Sequence, residues 1–334
     1  MSTLMPPHFV NLDGVLTTKP PAGLHFLEVP MEGWRISRSD RTREISELCR
    51  ALDHGFRAAI MRKSEYELLV GAMPQFLAEG GLSADCPIGK DQFEKQLARY
   101  ADRPEINKFL YFYDCERLVS SISQCLFEIN SVVGDFYHTL NVGFLGNNAV
   151  SLGKDGVVIT RSYRVTQLMA YLNFVFIRLH SLLDYSVKLA IEAQNIKTDF
   201  ARYTKMRSLS AQFGHRRDVG FNGAEGTLFE ACAFIDTVET LRNHIVHDGL
   251  LEEQPKLFER VDKGVVVERF VLFPDMTNGR LDRYGNRSLF YGGEDKINLR
   301  LPDFLLEFQK RLEATLGLIL EELRAHKRSD QDGT

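Results

Sequence analysis

The chain has 334 residues, 44% hydrophobic and 26% charged, which is the soluble globular average and enough apolar material for a substantial core. A formal net charge of −4 gives no global attraction for polyanions, so any nucleic-acid contact needs a local basic patch. There is no run of about 18 apolar residues, no signal-peptide layout in Met1 to Val10, and no C-x-x-C pair among Cys49, Cys86, Cys115, Cys125 and Cys232. This excludes a membrane span, a disulfide framework and a zinc ribbon, and the expectation is a cytoplasmic protein with reduced, mostly buried thiols.

Residues 1–38 are rich in Pro, Gly and Thr (Pro6, Pro7, Pro20, Pro21, Pro30) and read as an irregular or partly stranded leader, with the sole tryptophan, Trp34, pinning it to the body. Helical spacing begins near Asp40, where Asp40 and Thr42 offer a cap and Ile45, Leu48, Cys49 and Leu52 form a stripe. A second helix is predicted over Glu65 to Leu77 and a shorter one from Asp91. A long helix then starts at Pro104, whose missing N–H is harmless in a first turn, and runs past Val133 to the Gly-Asn cluster Gly143 to Gly153. Val165 to Ala193, without internal Gly or Pro, reads as a core helix. Lys197 to Gly226 is the densest basic stretch; its Lys205, Arg207, Arg216 and Arg217 are candidate RNA contacts, a solvated surface being the plainer reading.

A helix is predicted from Thr227 to Asp248, with the seam Leu228, Ala231, Ile235, Val238, Arg242 and Ile245 and with Gly249 as its stop. Beyond it, Val265-Val266-Val267 and Phe270 to Phe273 predict a strand, and the turns at Gly279, Gly285 and Gly292-Gly293 predict two or three short ones. An amphipathic helix from Pro302 to Arg324 and a frayed tail, Lys327 to Thr334, close the chain. The fold class is mainly α, a helical bundle with a small β-rich insertion before the last helix.

Arg242 interrupts an apolar seam, and a guanidinium there must find a partner or border a cleft. Asn243 shares a helix face with His247, and His244 shares one with Asp248. On an ideal α-helix Arg242 and His247 lie roughly 140° apart. They converge only if the arginine reaches round, the helix breaks near Gly249, or a second subunit completes the site. His8, His25, His54, His138, His215 and His326 are isolated, without metal-ligand spacing, and no P-loop, dinucleotide fingerprint or H-E-x-x-H is present. Neither metal nor cofactor is expected.

Arg242-Asn243-His244-Ile245-Val246-His247 resembles the hallmark of the HEPN superfamily, the helical domains of many prokaryotic defence and toxin ribonucleases. Arg178 to Tyr185 is similar to that family's other core helix, which often turns a polar residue toward the site; Asp184 is the candidate here. The resemblance covers roughly residues 104–250. It implies an HEPN-like helical bundle and a metal-independent endoribonuclease with Arg242, Asn243 and His247 in its site and His244, Asp184 and Asp248 in support. It also implies RNA as substrate, a homodimer whose two motifs share a cleft, and a regulatory or antitoxin partner. One departure stands out: some toxin relatives carry a tyrosine just after the histidine, the target of an inactivating antitoxin, where this chain has Asp248-Gly249-Leu250.

The chain accordingly segments into a leader (1–38), an N-terminal helical region (39–103), the HEPN-like core (104–250), a β-rich insertion (251–300) and a final helix on the core (301–326). The poor alignment of Arg242 and His247 on one α-helix favours a composite site at a dimer interface. The alternative function is a non-catalytic helical module that binds RNA, a nucleotide or another protein.

Overall fold

The computed structural model describes residues 9–15, 23–29, 33–37, 41–142, 145 and 155–331; among these, helices dominate and the strands form three small antiparallel sheets. The leader prolines, Asp40, His8 and, apart from Leu145, the Gly143 to Gly153 cluster lie outside the described residues. The chain divides into two compact units, each built from discontinuous segments: Met1–Thr42, Cys125–Leu182 and Glu230–Arg311 in the first, Arg43–Gln124, Leu183–Phe229 and Leu312–Thr334 in the second. The helices α5 (Pro104–Val142), α6 (Tyr163–Gln194) and α8 (Ile297–Gln331) each contribute to both.

In the first unit the leader is stranded: β1 (Phe9–Val10), β2 (Phe26–Val29) and β3 (Gly33–Ile36) pair in that order. Trp34 on β3 is buried and packs directly against Gly134 of α5, where an added Cβ would sit 1.8 Å from the indole Cγ. Only glycine permits that approach. Gly134→Ala is therefore expected to cost about 1–3 kcal/mol by overpacking and to red-shift the emission of the lone tryptophan. Chemical denaturation followed by that fluorescence checks it.

The second sheet places β5 (Leu257–Asp262) between β4 (Gly156–Thr160) and β6 (Val265–Phe270). The expectation of a β-rich insertion confined to residues 251–300 needs correction, because β4 precedes the core helix and pairs along β5 from Thr160↔Leu257 to Gly156↔Val261. β7 (Met276–Thr277) and β8 (Arg280–Leu281) form a hairpin whose Asn278-Gly279 turn has φ of 50° and 77°. Gly279 also presses on the first turn of α7 (Ala233–Asn243), where a Cβ would meet the Ala233 carbonyl at 2.3 Å. The hairpin thus seats against the helix that carries the Arg-Asn-His motif.

Two polar devices tie this unit together. Pro302 lies inside α8, not at its start, so it offers no N–H to the carbonyl of Asn298; that carbonyl accepts the Tyr137 hydroxyl instead, at 2.6 Å. Arg269 on β6 pairs with the fully buried Glu259 at 3.1 Å and donates to the Leu140 and Asn141 carbonyls, each at 3.0 Å, at the end of α5. These carbonyls are among the four that a helix leaves unpaired at its C-terminus.

In the second unit α1 (Thr42–Ile60) buries Ile45, Cys49 and Leu52 of the predicted stripe, leaves Leu48 half-buried, and adds Phe56 and Ile60 to the buried face. The single helix expected over Glu65 to Leu77 is two, α2 (Lys63–Ala72) and α3 (Gln75–Glu79), because Pro74 ends the first. α4 (Lys90–Ala98) follows. Tyr111 and Phe112 are core residues, and the Tyr111 hydroxyl donates to buried Glu192 at 2.7 Å, which also takes the Ser208 N–H. The final helix continues through Gln331, so the tail is helical for longer than expected.

Burial, joined by the nearby charge of Glu116, pushes the Asp53 carboxyl up to about 7, and its Oδ1 has no hydrogen-bond partner among the described residues. A carboxyl raised in the folded state supports folding fully below about pH 4 and loses that contribution as pH climbs through 7. Asp53→Asn is expected to flatten this decline and to raise stability at pH 8 by on the order of 1 kcal/mol after solvent screening. Melting temperatures of both proteins at pH 5 and pH 8 test it.

Candidate functional site

The motif helix begins at Ala233, later than the predicted Thr227; Leu228 is buried but precedes the helix, and its N–H is held by the Thr315 hydroxyl at 2.9 Å. α7 buries Ile235, Val238 and Leu241, leaving Arg242 half-buried at the rim of the apolar seam. After Asn243 the helix widens into one π-turn, His244–Asp248, closed by the Gly249 N–H on the His244 carbonyl at 2.9 Å. Gly249, at φ 140°, ends it as the sequence predicts.

The π-turn resolves the angular problem. Its hydrogen bonds run between residues five apart, so positions i and i+5 lie one turn above the other, where an α-helix would separate them. Arg242 precedes the turn, in α7, and His247 lies inside it, five residues on, so the widened turn carries the imidazole back under the arginine. The Arg242 Nη1 donates to Asn243 Oδ1 at 2.8 Å and to His247 Nε2 at 3.3 Å. The geometric reason for invoking a second subunit to bring them together therefore falls away: one chain does it. A guanidinium has only donors, so in this contact His247 accepts through Nε2 and carries its proton on Nδ1. Asn243 and His247 are exposed, open to a substrate.

His244 is different. It is 95% buried, lies 3.6 Å from Asp248 through Nδ1, an ion-pair distance too long for a hydrogen bond, and neither ring nitrogen has a hydrogen-bond partner among the described residues. Asp248 also faces Arg283 at 3.5 Å. His244, His247 and Asp248 line a cavity of about 920 Å³ whose far wall is the loop after β8, including Arg283, Asn286, Arg287 and Ser288. Those loop residues are not among the sequence candidates. A signal was present in Arg283-Tyr284-Gly285-Asn286-Arg287, two arginines and an aromatic around a turn.

Asp184 and the basic candidates belong to the second unit. Asp184 Oδ1 accepts the Phe213 N–H at 2.7 Å, at the start of a 3-10 turn, Phe213–Asp218. Arg216 lies 4.1 Å over the Phe213 ring, and Arg207 donates to Asn195 at 3.1 Å, so both shape their own loop. Lys205 and Arg217 are exposed on the same stretch. Among the described residues no group of three His, Cys, Asp or Glu side chains is placed to hold a metal ion, and no helix is long and apolar enough to cross a membrane. Protein-family models, curated proteins and solved structures, when compared with the chain, give no match.

Proposed function

We propose that this chain is a metal-independent endoribonuclease of HEPN type, with Arg242, Asn243 and His247 at its centre. The observation that carries the reading is the 3.3 Å contact between Arg242 and an exposed His247 across the π-turn, at the mouth of a cavity. A phosphate entering there competes for the guanidinium, which moves to a phosphate oxygen and releases His247 Nε2. The freed imidazole takes the proton of a ribose 2'-hydroxyl. The 2'-oxygen then bonds to the adjacent phosphorus, the bond to the 5'-oxygen breaks, and the leaving oxygen takes a proton from solvent or from a second imidazole. The planar fork of Arg242 meets the charge that builds on phosphorus, and Asn243 holds the fork in place.

Each chain would supply its own pair. The homodimer that the family resemblance implies then sets two complete pairs across a shared cleft, with antiviral defence or toxin action as the setting. The cavity beside the pair also suits a non-catalytic RNA- or nucleotide-binding module, which differs only in leaving the phosphodiester intact. An oligoribonucleotide carrying a single 2'-deoxy nucleotide at the mapped cut separates the two. The enzyme reading expects cleavage to vanish at that position alone; cutting that continues there, or no cutting of the all-ribose strand at any stoichiometry, overturns it.

A further inference from the structure

Resting on that reading, we infer that the cavity next to the Arg242–His247 pair is a subsite for one unpaired nucleotide of a single-stranded RNA, gripped by the hairpin after β8. The hairpin is a tight turn in which Tyr284 and Arg287 exchange both backbone hydrogen bonds, at 2.9 and 3.0 Å, across Gly285-Asn286. Tyr284 is not itself part of the cavity wall; 81% exposed between Arg283 and Gly285, which are, it offers an aromatic face to solvent at the rim, from a fixed backbone. Stacking is indifferent to base identity but requires a base out of its pair, which a duplex does not present.

The opposite wall supplies an independent observation. His244 lines the cavity with both ring nitrogens lacking a hydrogen-bond partner among the described residues, although it is 95% buried. Buried polar atoms are nearly always satisfied, and a ligand with both donors and acceptors, such as a base edge or a ribose hydroxyl, satisfies an imidazole from either side. The charge balance fits one nucleotide better than a long phosphate track. Arg283 and Arg287 stand against Asp248 and Glu253 on the same lining, and Asp248 already faces Arg283. Arg287 makes no ion pair among the described residues and is the cation open to a flanking phosphate.

The test is anisotropy of a labelled, single-stranded 2'-O-methyl oligonucleotide, which binds without a hydroxyl to attack, titrated with the full chain and its variants. Tyr284→Ala and Arg287→Ala are exposed-loop changes, and circular dichroism confirms that each stays folded. Each is expected to weaken binding at least about fivefold, Tyr284→Phe to restore it, and the matching duplex to bind at least about tenfold more weakly. Absence of binding by the wild type, binding within twofold by both alanine variants, or equal binding of the duplex overturns the subsite. Binding with this pattern but without cleavage of ordinary RNA overturns the enzyme and leaves the subsite standing. Cleavage that the hairpin substitutions leave untouched does the reverse.

Discussion

Arg242→Ala and His247→Ala are each expected to lower the single-turnover rate of RNA cleavage by about 100- to 10,000-fold while leaving the fold intact. Arg242 lies in the last turn of α7, half-buried at the rim of its apolar seam, and contacts Asn243 and His247; His247 is exposed in the π-turn that follows. Removing them opens no core cavity, so circular dichroism and melting should change little. Arg242→Lys should recover only a small part of the loss, since an ammonium cannot present the planar pair of donors that spans Asn243 and a phosphate. Asn243→Ala, which frees the guanidinium without removing it, is expected to cost less, roughly tenfold. Mixing the two alanine variants should restore nothing if the pair acts within one chain, because neither chain then has both groups. Recovery of a quarter or more of wild-type activity would return the site to the subunit interface.

Arg269→Ala is expected to destabilise the first unit by about 3–5 kcal/mol, more than either Gly134→Ala or the change at Asp53. The substitution leaves Glu259, which has no solvent exposure, with the Thr160 hydroxyl but without the Arg269 counter-charge, and strips a charged donor from the Leu140 and Asn141 carbonyls at the end of α5. A buried charge left without its counter-charge costs more than the pair contributes, so Arg269→Met with Glu259→Met should cost much less than Arg269→Ala alone. Urea denaturation of the single and double variants measures the difference. A single variant within about 1 kcal/mol of the wild type would mean that solvent reaches Glu259.

Local pattern was enough for the long helices. The stripe Ile45, Leu48, Cys49 and Leu52, the Pro104 start and the uninterrupted apolar run of α6 are each local signals, and the helices follow. What was not legible depends on distant partners. The β4 segment, Gly156–Thr160, is short and becomes a strand only because Leu257–Asp262, about a hundred residues on, lies beside it. The Arg-Asn-His motif was visible as a string, and its place at a helix end before Gly249 was correct. The π-turn was not, since one extra residue in a helical turn leaves no mark in hydrophobic spacing, and the same string on an α-helix holds Arg242 and His247 apart. The wall of the cavity was missed for a related reason: Arg283 and Arg287 meet His244 only through the folding of the loop after β8 onto the end of α7.

The most direct measurement is incubation of the purified protein with single-stranded RNA in EDTA, followed by identification of the new ends. Metal-independent attack by the 2'-hydroxyl, with His247 as base, yields 2',3'-cyclic phosphate and 5'-hydroxyl termini, and the His247→Ala protein yields none. Cleavage that stops in EDTA, leaves 5'-phosphate ends or persists without His247 would contradict the account.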